Sequence, residues 1–279
     1  MLEKNKNKSD LTTVIFGFSF ILVISAIFFL KFHFFDQKNA TELADKTNET
    51  AKQELNNFSS ITATDLAKKI QAKEKMTILD ARDPGSFKTE HILDSKNFSL
   101  DGLTQKISSL EKDREYFFVD DFGLTPNEIQ AMKFFKDNGL MKTAYLEGGL
   151  TQWKNEYEPT INIGNPASLP DRAKVSFVTS DDLKGELTST KPPYIVDTRS
   201  ASEYQRGHIV NAVNIPLDDL ESRRHEIPSG AKIVFYDNTG LGAFQGAVRL
   251  FDAGILNVYA LSDGLKTWQQ KGFEIVPSK

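Results

Sequence analysis

Hydrophobic residues fall in short continuous runs set between polar stretches. Thr77-Ile78-Leu79, Tyr116-Phe117-Phe118-Val119 and Thr143-Ala144-Tyr145-Leu146 form one set. Tyr194-Ile195-Val196, Lys232-Ile233-Val234-Phe235-Tyr236 and Asn257-Val258-Tyr259-Ala260 form a second. Runs this short, without alternation, predict strands buried on both faces. Between them the pattern turns helical, over 64–71 with Asp65 near the start, and over 126–138 up to Gly139. Thr125, Pro126 and Glu128 have the order of a capping box with proline at the first helical position. Strands alternating with helices predict an α/β fold of parallel sheets with helices on both faces.

The two sets are copies. An offset of 117 residues carries Leu183 onto Leu66, Asp197 onto Asp80, Arg199 onto Arg82 and His208 onto His91. The same offset carries Leu217 onto Leu100, Asp237 onto Asp120 and Gly240 onto Gly123. Toward the ends it slips to 115, pairing Gly264 with Gly149 and Trp268 with Trp153. Matches held in register over this length are an internal repeat, and a two-residue slip is a loop insertion.

The N-terminal pattern differs. Leu11 to Leu30 is 20 residues without a charge. At about 1.5 Å per residue, a helix of that length spans the hydrocarbon core of a bilayer, roughly 30 Å thick. No small-x-small cleavage site follows it, so an anchor is expected rather than a removed signal. Lys4, Lys6 and Lys8 precede the span, which favours a cytoplasmic N-terminus. The next stretch is polar and cannot bury a core, so it reads as a stalk. The expected organisation is a cytoplasmic tail over 1–10, a transmembrane anchor over 11–30 and a stalk over 31–58. Two α/β domains follow, over 59–158 and 175–279. The segment 159–174 is expected to be linker, because it carries Gly164, Pro166 and Pro170 and few apolar residues.

Within the second domain stand Asp197-Thr198-Arg199, Glu203-Tyr204, Gly207-His208-Ile209 and Asn214-Ile215-Pro216. This string resembles the signature of the rhodanese family, and the first domain repeats it with Asp80, Arg82, Phe87, His91 and Ile92. Glu90 replaces the Gly of the turn there. Ligands of open α/β sheets sit at the carboxyl ends of the strands, which points to the loops after Val119 and Tyr236. In rhodaneses the resemblance makes that loop the active site. A catalytic cysteine directly follows the strand, with Gly typically three residues on and often Arg at position five. Loop N–H groups and the helix N-terminus then cradle the anionic sulfur of the persulfide. Here the loops read Asp120-Asp121-Phe122-Gly123-Leu124-Thr125 and Asp237-Asn238-Thr239-Gly240-Leu241-Gly242. Asp stands at the cysteine position twice, and Thr125 and Gly242 stand at the arginine position.

The chain contains no cysteine, so no persulfide, disulfide or thiolate-ligated metal can form within it. A carboxylate cannot hold a sulfane sulfur, and its charge repels thiosulfate. Neither domain is therefore expected to hold a sulfurtransferase residue, a cofactor or a metal. Each Asp is expected to cap its loop by accepting N–H groups. The competing chemistry, an aspartyl-phosphate, needs Mg²⁺ and a Lys or Arg for the phosphate, and neither loop supplies the cation. His91 and His208 are expected to brace their turns. Asp80 with Arg82 and Asp197 with Arg199 are expected to be structural pairs, and Trp153 and Trp268 core residues. A net charge of −4 argues against a nucleic-acid partner. The resulting expectation is a membrane-anchored tandem protein outside the cytoplasm that binds an unidentified protein. The competing class is an enzyme, either a sulfurtransferase borrowing a partner's cysteine or a carboxylate-dependent phosphohydrolase.

Overall fold

The computed structural model describes residues 58–277. The expected tail and anchor, and all but the last residue of the expected stalk, lie outside the described residues. Among the described residues, no helix is long and apolar enough to cross a membrane.

The first domain contains β1 (Ser59–Ile61), α1 (Ala63–Gln71), β2 (Met76–Asp80), α2 (Pro84–Thr89), β3 (Glu90–His91), β4 (Lys96–Asn97) and α3 (Leu100–Lys106). It continues with β5 (Glu115–Val119), α4 (Pro126–Asp137), β6 (Thr143–Leu146) and α5 (Gly149–Asn155). Its main sheet has the order β1-β6-β5-β2-β4, and every pairing is parallel. The central strand β5 buries Tyr116, Phe117, Phe118 and Val119. Strands covered on both faces need helices on both, and this is why their sequence is continuously apolar. One face packs Leu66, Ile78, Phe117, Leu146 and Trp153 into a single cluster.

The second domain follows the same plan. Its elements are β8 (Ser176–Val178), α7 (Ser180–Glu186), β9 (Tyr194–Asp197), α8 (Ala201–Arg206) and β10 (Val213–Asn214). They continue with β11 (Ile233–Tyr236), α9 (Leu241–Asp252), β12 (Val258–Leu261) and α10 (Gly264–Gln270). The sheet order β8-β12-β11-β9-β10 is that of the first domain, again all parallel. Register repeats as well. Asp80 lies opposite Val119 and Asn97, and Asp197 lies opposite Tyr236 and Asn214. The two aspartates that open the loops, Asp120 and Asp237, therefore occupy equivalent points of the two sheets.

The segment 159–174 carries regular structure. β7 (Ile161–Asn162) returns antiparallel to β3, and α6 (Leu169–Lys174) leads into the second domain. The second domain closes its own turn with a bridge of His208 to Val276. The segment is also tied to α9: Asn162 N–H donates to Asp252 at 3.2 Å, and Lys174 pairs with Asp252 at 2.8 Å. Composition marks this stretch as polar and turn-rich, whereas its pairing depends on partners far away in the chain.

Candidate functional site

Each loop is framed by the signature residues. Asp80 and Asp197 end β2 and β9 and are fully buried. Two residues on, Arg82 donates Nη2 to Asp80 at 2.7 Å and Nε to both Asp80 oxygens. Arg199 grips Asp197 in the same fork. The Nη2 groups also donate to Glu90 O and Gly207 O, so each arginine ties the strand end to the turn before the histidine. Their Nη1 groups reach the second loop residue, Asp121 at 3.3 Å and Asn238 at 3.5 Å. Breaking such a buried pair on one side typically costs about 3–5 kcal/mol, since it strands a charge. Both ion pairs are formed across the same two-residue spacing.

The histidines brace turns. His91 Nδ1 bonds Phe87 O at 2.8 Å, and His208 Nδ1 bonds Tyr204 O at 3.0 Å. Each ring stacks on the aromatic residue four positions earlier. His91 Nε2 additionally meets Glu221 of the second domain at 2.7 Å. Trp153 and Trp268 are core residues whose indole N–H groups donate to Pro159 O and Glu274 O.

Two further pairs of residues, which the sequence shows only as parts of the repeat and the signature without a role, position the loops. Asn97 and Asn214 each donate to two carbonyls flanking the buried arginine turn. Gly149 and Gly264 open α5 and α10 directly under the loops. A Cβ on Gly149 would lie 2.3 Å from Asp120 O, and one on Gly264 would lie 2.6 Å from Asn238 O. The contact exists because Leu150 N–H donates to Asp120 O, and Leu265 N–H to Asp237 O. Both glycines also have positive φ. The matched Gly-Leu-x-x-Trp strings were the available signal.

The loops themselves diverge. In the second domain Asp237 Oδ1 accepts the N–H of Gly240 at 2.6 Å and that of Ala243 at 3.3 Å. Its Oδ2 accepts the Thr239 hydroxyl at 3.1 Å. The carboxylate thus lies over the start of α9, the positive end of the helix dipole. In the first domain Asp120 Oδ1 instead accepts the N–H of Asp121. Here α4 is capped by the capping box: Thr125 N–H donates to Glu128 Oε2 at 2.9 Å, and Glu128 N–H donates to the Thr125 hydroxyl. Phe122 stands exposed at the loop tip and Leu241 is half exposed in the other loop, whereas Leu124 is half-buried. Gly123 and Gly240 both have positive φ, which is why each loop keeps glycine there.

Glu128 is a third carboxyl at the first loop. It is fully buried, and its Oε1 has no hydrogen-bond partner among the described residues. Burial, reinforced by the charges of Asp120 and Asp80, pushes its pKa up to about 8. In the second domain burial beside Asp197 pushes the Tyr236 hydroxyl far above its ordinary value, and that hydroxyl accepts the N–H of Ile209 at 3.1 Å. No cluster of three or more His, Asp or Glu side chains placed to hold a metal occurs among the described residues.

Several known proteins are similar to parts of this chain. A sulfurtransferase of Allochromatium vinosum is 29% identical over 102 residues, covering 37% of this chain and 95% of that protein. A tRNA sulfurtransferase of Thermoplasma acidophilum is 33% identical over 96 residues, which are 34% of this chain and 19% of that protein. The crystal structure of a thiosulfate sulfurtransferase from Pseudomonas aeruginosa aligns with 79% of this chain and 44% of its own, at 22% identity and a TM-score of 0.44. The family model for the rhodanese-like domain matches twice, over residues 62–156 and 179–271, more than half of the chain. With two matched domains of the same sheet order, and no cysteine in either, this chain belongs to the rhodanese-like domain family.

Proposed function

We propose that this chain is a membrane-tethered member of the family that binds a protein partner and does not transfer sulfur. The observation that carries this reading is the Asp237 carboxylate lying on the N–H groups of Gly240 and Ala243. Those N–H groups form the cradle in which the family holds an anionic sulfur, and here the chain's own side chain takes that place. In the first domain Asp120 and Asp121 put two acidic side chains on the loop, which opposes an anionic substrate. The cations that reach the loops, Arg82 and Arg199, are committed to Asp80 and Asp197. Neither loop contains a Lys or Arg of its own.

A binding role uses what remains at the loop. Phe122 is 80% exposed at the tip of a loop that a rigid sheet holds in place. Aromatic side chains of this kind serve as anchors at protein interfaces. The uncharged span over 11–30 would hold the domains near a membrane, on the non-cytoplasmic side.

The test has two arms. The full chain is assayed for thiocyanate formation from thiosulfate and cyanide, and for hydrolysis of a generic phosphate ester; neither product is expected. A photo-crosslinking residue at Phe122 should give a discrete protein adduct in cells, and one at the distant exposed Lys73 should not. Thiocyanate or phosphate release by the wild type would overturn the reading.

A further inference from the structure

Between the two domains lies a cavity of about 420 Å³ that the loop chemistry does not use. One wall comes from the first domain, with Phe87, His91, Ser95 and Lys96; the other comes from the second, with Glu221 and Arg249. The volume falls within the range of small-molecule sites, roughly 300–1,000 Å³, and domain interfaces are where such sites concentrate.

The charges around the cavity are unevenly satisfied. Every acid is engaged: Asp94 with Arg224 at 2.7 Å, Asp218 with Lys88 at 3.0 Å, and Glu221 with His91 at 2.7 Å. Glu221 also accepts the N–H of Asp94 at 2.8 Å. Two cations are not matched in this way. Arg249 spends Nη1 on Leu217 O, and its Nε has no partner among the described residues. Lys96 has no ion-pair partner among the described residues and is exposed. The Ser95 hydroxyl is also buried and unpartnered. Arg249 and Ser95 are each more than nine-tenths buried. Native proteins rarely leave buried polar groups without a partner, and such groups meet ordered water, an ion or a ligand.

Arg249 Nε and the Lys96 ammonium can only donate and the Ser95 hydroxyl can donate as well, so the partner that would satisfy all three is an acceptor with negative charge. The cavity is several times larger than an inorganic oxyanion needs, given that one water takes about 30 Å³. The apolar part of its wall is the stacked pair of Phe87 and His91, with ring centroids 4.2 Å apart. We infer that this interdomain cavity binds a small organic anion, whose oxygen head meets Arg249, Ser95 and Lys96 and whose apolar body lies on the Phe87–His91 wall. Because the two sides belong to different domains, such a ligand would link them, and the residues that hold it lie outside both Asp loops.

Isothermal titration of the full chain in mild detergent tests this with three probes sharing one ring: benzoate, phenyl phosphate and benzylamine. At least one anion should bind saturably at one site per chain, and benzylamine should not. Comparison of the two anions separates a carboxylate from a phosphate monoester head. Arg249→Gln should abolish binding. Because that buried change can impair folding, the exposed Lys96→Gln and the small Ser95→Ala serve as independent variants. Loss of a charge-assisted contact should weaken the anion about tenfold in Lys96→Gln. Absence of saturable binding by either anion, equal binding of benzylamine, or undiminished affinity in both Lys96→Gln and Ser95→Ala would each overturn the inference.

Discussion

Asp237 Oδ1 accepts the backbone N–H of Gly240 at 2.6 Å, closing a three-residue loop with the chain's own carboxylate. The same side chain limits the residue at 242. A Cβ there would lie 3.2 Å from Asp237 Cβ and 3.3 Å from its Oδ2. Gly242 itself sits in the first turn of α9, outside the left-handed region, so its backbone accepts a side chain; removing the carboxylate relieves the Oδ2 contact and leaves the one to the Cβ of residue 237.

Asp237→Cys alone is therefore expected to give little sulfur transfer. The cradle would lower the thiol pKa, but no fixed cation would help hold thiosulfate. Asp237→Cys combined with Gly242→Arg should exceed the single variant on the order of 100-fold, the usual effect of one donor at a developing charge. Thiocyanate formation by the wild type and both variants measures this. Equal activity of single and double variants would show that the missing cation does not matter.

Glu128 makes stability depend on pH in the unusual direction. Its folded pKa, about 8, lies above the unfolded value of 4.5. Below pH 4.5 both states hold the proton and no penalty exists. As pH rises from 4.5 to 8 the unfolded chain releases the proton first, so stability falls across that window. Glu128→Gln keeps a capping-box side chain without the charge, and should raise stability by up to roughly 3 kcal/mol at pH 7 with no gain at pH 4. Urea unfolding at both pH values checks it; an equal gain at both would mean that the proton is not the cause.

Gly149→Ala should destabilise the first domain by about 2–4 kcal/mol. Its Cβ would meet Asp120 O at 2.3 Å, and its φ of +58° is unfavourable for alanine. Chemical denaturation is the measurement. A loss within experimental error would mean that the loop and α5 are not in the tight contact described.

Protease added to spheroplasts should digest the domains over 59–279, following from the uncharged span and the lysines before it. Complete protection until lysis would reverse the proposed orientation.

Much was determined by sequence alone because it is local or additive. Continuous apolar runs mark β2, β5, β6, β9, β11 and β12, since strands buried on both faces have no polar side. The Thr125–Glu128 box is readable because both partners lie within one turn. The repeat is readable because the same contacts need the same residues twice. The absence of cysteine excludes thiol chemistry by the chain itself whatever the fold. The edge strands β1, β4, β8 and β10 have two or three residues each, too few to carry a period.

Only the tertiary structure decided what the two loop aspartates do. Both follow a strand and precede a helix, yet Asp237 turns onto Gly240 and Ala243 while Asp120 turns onto Asp121. The reason lies at the helix starts. Thr125 already caps α4, whereas the N-cap of α9 is Gly240, which has no side chain to cap it, so the free N–H groups there draw Asp237. Burial of Glu128 and the placement of Ser95 and Arg249 on one interdomain cavity likewise depend on packing between residues distant in the chain, which no local pattern encodes.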